Sequence, residues 1–296
     1  MQPAKRTVEL ITTTAGVVEA EVRGSGAPVI VLHGSPGGID AARAMGHFLP
    51  PEKFRTIALS RPGYLGTPLG AGGASIDHEA DLLAAVLDTL GVDRAGVFAW
   101  SGGGPSAYRL AVRHPGRVAS LITVAAVSAR CEEPAPSMPE RLMFETRAGQ
   151  WLLRFLARRS PAQVVGEALA GEGSVRGDEL KTLTAGVLAD PEQRAAVLAF
   201  STTVGRIGSR KAGWENDLRN FAAIGSLELD RVRCPVLLIH GDADTDVTID
   251  YSYLAHQALP ESRLIVMNRG THLAFYAHPE AADVQEETRA FLAAYA

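Results

Sequence analysis

The stretch from Ala95 to Val112 constrains this chain more than any other. Ala95-Gly96-Val97-Phe98-Ala99-Trp100 has the unbroken apolar character of a short buried strand. Ser101-Gly102-Gly103-Gly104 follows as a run of minimal side chains, and Pro105 opens a helical pattern that continues through Val112. A strand that turns sharply into a helix, with serine at the apex, is a nucleophile-elbow geometry. The apex backbone is strained and the strand and helix pass close together, so the neighbours must be small. The pattern is usually written G-x-S-x-G; here Ala99 stands at the first glycine and adds one methyl.

Other polar clusters are placed in the same way. Pro28 to Leu32 reads as a strand ending in His33-Gly34-Ser35-Pro36-Gly37-Gly38. Pro235 to Ile239 ends in His240-Gly241-Asp242-Ala243-Asp244, and Ser262 to Met267 is followed by Asn268-Arg269-Gly270-Thr271-His272. Each cluster is expected at the C-terminal end of a strand, where open parallel sheets form their ligand crevice. Serine, then acid, then histidine is also the chain order of one hydrolase architecture.

On these pieces the chain resembles the α/β-hydrolase fold superfamily, in its capped serine-hydrolase branch. The matching motifs are His33-Gly34-x-Pro36-Gly37, Arg61-Pro62-Gly63-Tyr64-x-Gly66, Ser101-Gly102-Gly103, His240-Gly241-x-x-Asp244 and Gly270-x-His272. They span most of the sequence apart from its middle. The resemblance implies an α/β fold with a mostly parallel central sheet flanked by helices and an inserted helical cap.

The strand–helix alternation divides the chain accordingly. A hairpin is expected over residues 7–22, strands near 29–33 and 55–59, and a helix over 76–90 stopped by Gly91. A further strand is expected at Val118–Val127 and a closing helix at Pro279–Tyr295. Near-continuous apolar strands indicate a sheet buried on both faces. From Ser128 the strand signal disappears. Helical periodicity runs on, broken at Pro134-Ala135-Pro136, Ser160-Pro161, Gly171-Glu172-Gly173 and Asp190-Pro191. The expected organisation is a core over 1–127, a helical cap over 128–229 and the rest of the core over 230–296.

A formal net charge of −4 gives no reason to expect nucleic acid or an anionic membrane as partner. Arg154, Arg158 and Arg159 are read as one solvated helix face. No apolar run approaches the roughly 20 residues that span a bilayer, and the N-terminus lacks the apolar core of a secretory signal. Cys131 and Cys234 lack metal-ligand spacing, so reduced thiols in a cytoplasmic protein are expected. The oligomeric state stays open.

The chemistry centres on Ser101 as nucleophile, which needs a base within hydrogen-bond reach, and His272 is the candidate. The other seven histidines lack comparable placement: His114 looks like a helix end, His278 a helix entrance, and His33 a residue that shapes a loop. A carboxylate must fix the histidine tautomer. Among Asp242, Asp244 and Asp246 the motif resemblance selects Asp244, ahead of Glu132 and Glu133 after the Val118–Val127 strand. The oxyanion hole is expected from the amide of Gly102 at a helix N-terminus and, by resemblance, the amide of Ser35. Pro36 has no N–H to give. Gly34 and Trp100 are expected to line the substrate, with core packing the larger part of the Trp100 role. Of the cap side chains Met138, Met143, Phe144, Trp151, Phe155, Phe200, Trp214 and Phe221, only a minority are expected to touch it.

These residues imply ester hydrolysis of a small-molecule substrate through an acyl-enzyme, with no metal and no cofactor. Epoxide hydrolases and haloalkane dehalogenases resemble the pattern but place aspartate where Ser101 stands. Carbon–carbon hydrolases usually carry asparagine where Trp100 stands. Proline iminopeptidases share a loop like residues 33–37 yet typically have tryptophan where Gly102 stands, and they are the enzymatic alternative. A non-catalytic ligand-binding protein on the same fold is the alternative of another class. Uncharged short to medium acyl groups are expected, unless Glu132, Glu133, Glu140 or Glu145 projects inward to hold a free amino terminus.

Overall fold

The computed structural model describes residues 8–132 and 137–296; Glu133 and the Pro134-Ala135-Pro136 break lie outside them. Eight strands form one sheet: β1 (Glu9–Thr13), β2 (Gly16–Arg23), β3 (Ala27–Leu32), β4 (Phe54–Leu59), β5 (Ala95–Trp100), β6 (Val118–Val124), β7 (Val236–Gly241) and β8 (Ser262–Met267). Their spatial order is β1-β2-β4-β3-β5-β6-β7-β8. β1 and β2 pair antiparallel, as do β2 and β4, and every other pairing is parallel.

The helices are α1 (Ile39–Met45), α2 (Ile76–Thr89), α3 (Gly104–Arg113), α4 (Met138–Phe144), α5 (Arg147–Arg159), α6 (Pro161–Gly171), α7 (Gly177–Ala189), α8 (Pro191–Ser201), α9 (Lys211–Ala222), α10 (Asp250–Ala258) and α11 (Ala281–Ala294). The side-chain period of 2 sorts each central strand between two layers. Ile30, Leu32, Val97, Ala99, Leu121 and Leu238 join α2, α3 and α10 in one core cluster. Val31, Phe98, Trp100, Ile122, Leu237 and Ile239 join α1 and α11 in the other. The central strands are therefore buried on both faces, as their unbroken apolar character required.

Local signals set the helix limits. Ser75 Oγ accepts from the His78 amide to start α2, and Gly91 follows its end with φ +63°. Asp190 caps α8 by accepting from the amides of Glu192 and Gln193, with Pro191 at the first helical position. Among the described residues, the stretch between β6 and β7 contains helices α4 to α9 and no strand. α6, α7 and α8 lay Val165, Leu169, Val187, Val197 and Phe200 against the Trp100 side of the sheet. α9 does something different: its Phe221, with Ile224 and Leu227 just beyond, packs into the cluster on the α3 side. Arg154, Arg158 and Arg159 are exposed on α5.

Cys131 and Cys234 are not joined by a disulfide. Among the described residues no helix is long and apolar enough to cross a membrane.

Candidate active site

Ser101 takes φ +52° at the tip of β5, a left-handed conformation that costs a non-glycine residue on the order of 1–3 kcal/mol. The glycines after it are needed because other groups occupy the space. A β-carbon on Gly102 would lie 2.8 Å from Ser35 Cβ and 2.9 Å from Phe221 Cζ. One on Gly103 would lie 2.9 Å from both the Leu32 and His33 carbonyl oxygens, and one on Gly104 would lie 2.7 Å from Ala126 Cβ. Ala99 points the other way, fully buried in the α3 layer, so the missing first glycine of the motif is absorbed by packing.

The loop after β3 closes over this turn. Gly34 faces Ser101, with its β-carbon position 3.0 Å from Ser101 Cβ. The amide of Ser35 donates to no other group among the described residues, and Gly102 lies in the first helical turn, where amides have no intrahelical partner. Both amides are thus available beside the serine. Both ring nitrogens of His33 are engaged by backbone. Its Nδ1–H donates to the Gly34 carbonyl (2.7 Å) and its Nε2 accepts from the Arg61 amide (3.0 Å). Burial, reinforced by the Arg61 charge, pushes its pKa well below the ordinary value.

Asp244 is the aspartate of its cluster that hydrogen-bonds His272. His272 Nδ1–H donates to Asp244 Oδ2 at 2.7 Å, while Asp244 Oδ1 accepts from the amides of Asp246 (2.9 Å) and Val247 (3.0 Å). Asp242 points away and accepts from the Arg269 amide at 2.6 Å. A second imidazole also reaches the acid, a partner the sequence reading missed. His240 Nε2 lies 3.2 Å from Asp244 Oδ2 and donates to the Val247 carbonyl at 2.8 Å. His240 Nδ1 accepts from Ser252 Oγ–H at 2.7 Å. His240 belongs to β7, so its motif begins inside the strand rather than beyond it. Burial alone would raise the Asp244 pKa, but the charge on His272 and the hydrogen bonds from His240 and His272 prevail and bring it down to about 2.

Other carboxyls surround His272. Asp246 Oδ2 lies 3.4 Å from Nε2, and the His272 amide donates to the Glu172 carbonyl at 2.9 Å. Burial opposes the imidazolium, yet Asp244, Asp246 and Glu172 together outweigh it and raise the His272 pKa to about 10. Glu172 itself is pushed up to about 8 by burial, with Asp246 and Asp244 adding to the rise. Its Oε2 is buried without a hydrogen-bond partner. Ser101 Oγ makes no hydrogen bond among the described residues, so the serine–histidine contact of a working triad is not closed here.

Ser35, Ser101, Glu172, Asp246 and His272 open on one cavity of about 300 Å³. Its floor is Gly34, Ser35, Trp100, Ser101 and His272, and its roof includes Met143, Phe144, Leu153, Val164 and Phe200. Trp100 does both things expected of it: it belongs to the buried core cluster and also lines this cavity, where its ring stacks on His272 with centroids 5.2 Å apart. Of the eight cap side chains singled out from the sequence, Met143, Phe144 and Phe200 line the space. Met138, Trp151 and Phe155 are exposed elsewhere, and Trp214 and Phe221 are buried. Of the expected glutamates Glu140 reaches the cavity, joined by Glu167, Glu172 and Asp246. Glu132 pairs with Arg130 and Glu145 with Arg141. Among the described residues no group of three or more His, Cys, Asp or Glu side chains is disposed to hold a metal ion.

Comparison with known proteins agrees with this architecture. The model of the alpha/beta hydrolase fold family matches residues 27–279. An alpha/beta hydrolase fold protein from Nakamurella multipartita is 42% identical, with a TM-score of 0.94 over 97% of this chain and 99% of that one. A pimeloyl-[acyl-carrier protein] methyl ester esterase from Aromatoleum aromaticum is 30% identical over 85% of this chain and 93% of its own length. The uncharacterized hydrolase YcgS of Bacillus subtilis is 26% identical over 91% and 93%. With one mostly parallel sheet, a serine on a strained strand-to-helix turn and a family match across the greater part of its length, the chain belongs to the alpha/beta hydrolase fold family.

Proposed function

We propose that the chain is a serine hydrolase that cleaves carboxylic esters of small to medium substrates through Ser101, His272 and Asp244. One observation carries the reading: Ser101, held at φ +52°, opens on the same cavity as an imidazole fixed 2.7 Å from a buried aspartate. The esterase relative at 30% identity adds support for ester chemistry.

In this mechanism Ser101 Oγ attacks the acyl carbon while His272 Nε2 takes its proton, and Asp244 stabilises the imidazolium that forms. The amides of Ser35 and Gly102 receive the oxyanion, an effect worth roughly 10²–10³ in kcat per donor. The imidazolium then protonates the leaving alcohol, and water repeats the sequence on the acyl-enzyme. Catalytic hydrogen bonds often tighten only when substrate is bound, so a Ser101 hydroxyl without a side-chain partner among the described residues is compatible with this route.

A fluorophosphonate probe should label the protein, and Ser101→Ala should abolish both labelling and ester turnover while leaving the fold intact. A Ser101→Ala protein that retains a tenth or more of kcat, a loss of only about 1.4 kcal/mol, would remove Ser101 from the nucleophile role. Absence of labelling in the wild type would favour a ligand-binding protein.

A second reading, a proline iminopeptidase-like aminopeptidase, is favoured by the cavity wall. Glu140, Glu167, Glu172 and Asp246 face it, against Arg206, a balance suited to a protonated amine. Efficient release of p-nitroaniline from proline p-nitroanilide, with weak turnover of butyrate and hexanoate esters, would decide for it.

A further inference from the structure

Beneath the loop of residues 33–38 lies a polar network that the proposed reaction does not use. Arg61 donates from Nε to Glu79 Oε1 at 2.7 Å, and from Nη1 and Nη2 to the two oxygens of Asp217 at 2.9 and 2.8 Å. The side chains of Arg61, Glu79 and Asp217 are 2%, 5% and 3% exposed, so these charges are paired out of water, where a lost partner is costly. Tyr64, also fully buried, donates its hydroxyl to Asp217 Oδ2 at 2.6 Å. Its proton is thereby committed, so the 3.0 Å contact with Ser35 has Ser35 Oγ–H donating to the Tyr64 oxygen.

The network does not end at Arg61 and Asp217: it continues through Tyr64 to Ser35, the residue whose backbone amide stands uncommitted beside Ser101. Asp217 belongs to α9, within the helical stretch between β6 and β7. Four residues further on, Phe221 lies against Gly102. One face of α9 therefore reaches both amides: Ser35 by the Asp217–Tyr64 chain, and Gly102 by direct packing. The start of α9 is fixed to the same region, because the Gly213 amide donates to the Gly63 carbonyl at 3.0 Å. Just before it, Arg210 binds the Gly37 carbonyl and Asp40.

We propose that Tyr64 and Asp217 are positioning residues that hold the Ser35 amide in register with the Gly102 amide, so that helix α9 is part of the oxyanion-binding geometry. The inference rests on the serine-hydrolase reading above. A donor that must meet a developing oxyanion within about 2.7–3.1 Å loses its effect on small displacement, and a two-bond chain from a buried ion pair restrains that displacement.

The test compares Tyr64→Phe, which removes one hydroxyl, with Ser35→Ala, which keeps the amide and removes the other end of the chain. In both, kcat for a p-nitrophenyl ester should fall about ten-fold or more, with KM within about two-fold. Affinity for a trifluoromethyl ketone, which forms an anionic hemiketal on the serine, should fall in parallel. Affinity for the matching methyl ketone should not. Wild-type kcat and wild-type trifluoromethyl ketone affinity in both variants would overturn the proposal. So would equal weakening of both ketones together with a lowered Tm, which marks a purely structural role. Ser35→Ala alone, which leaves the buried ion pair intact, serves if Tyr64→Phe does not fold, and the same pattern of kcat and ketone affinities is required of it. Failure of the serine-hydrolase reading shows separately, as retained turnover in Ser101→Ala.

Discussion

Asp244 accepts from one imidazole at 2.7 Å, has a second at 3.2 Å and takes two backbone amides, whereas Asp242 holds a turn and Asp246 faces the cavity. Replacing Asp244 by Asn should therefore lower kcat by a factor on the order of 10⁴, while Asp242→Asn stays within about ten-fold; steady-state kinetics on one ester measures both. The pH profile follows from the same charges. In the proposed mechanism Ser101 needs His272 neutral, so activity should be present above the His272 pKa and be lost as pH falls through it. The surrounding carboxylates raise that pKa, and the acid limb of kcat/KM, which reports the free enzyme, should lie above the ordinary histidine value of about 6.5. Asp246→Asn removes one of the raising charges and should move the limb to lower pH. A limb unmoved by that substitution would show that Asp246 does not act on the imidazole.

At the scale of elements, the turn from β5 into α3 is a close-packed joint. Gly103→Ala places a methyl against two backbone carbonyls that cannot move without disturbing β3, and should destabilise the protein by about 1–3 kcal/mol, read as a lower urea midpoint. This joint was legible in the sequence because its causes are local: strand, small residues and helix follow one another in the chain. Strand ends likewise pointed to His272 and to the Asp242–Asp246 cluster, and the motif resemblance singled out Asp244, which the structure places 2.7 Å from His272 Nδ1. Glu172 was not legible. In the sequence it stands between two glycines that read only as a helix break, yet the Ser174 amide donates to the Ala243 carbonyl at 2.7 Å, and Gly173 bridges to Asp244. The α6–α7 link is thereby tied to the loop of the acid about seventy residues later. His240 was missed for a related reason. Its neighbour Ser252 is on α10, and only the folded turn brings Asp244 and Val247 back to its ring. Contacts between distant segments have no period to read.

For the whole molecule, the cavity sets what can react. About 300 Å³ is at the small end of ligand sites, which run from roughly 300 to 1,000 Å³. Each buried methylene contributes about 0.8 kcal/mol, roughly a four-fold gain in kcat/KM. A series of p-nitrophenyl esters should therefore climb steeply from acetate and level off within a few carbons. A continued rise to long chains would mean that the roof of Met143, Phe144 and Leu153 opens. The stacking of Trp100 on His272 has a consequence of another kind. An imidazolium quenches an excited indole far more strongly than a neutral imidazole does, so the ring that walls the cavity also reports the charge of its neighbour. With Trp151 exposed on α5 and Trp214 already stacked on the Arg206 guanidinium at 4.8 Å, Trp100 is the tryptophan whose emission should brighten as His272 gives up its proton, an optical gauge of the reactive state that needs no substrate.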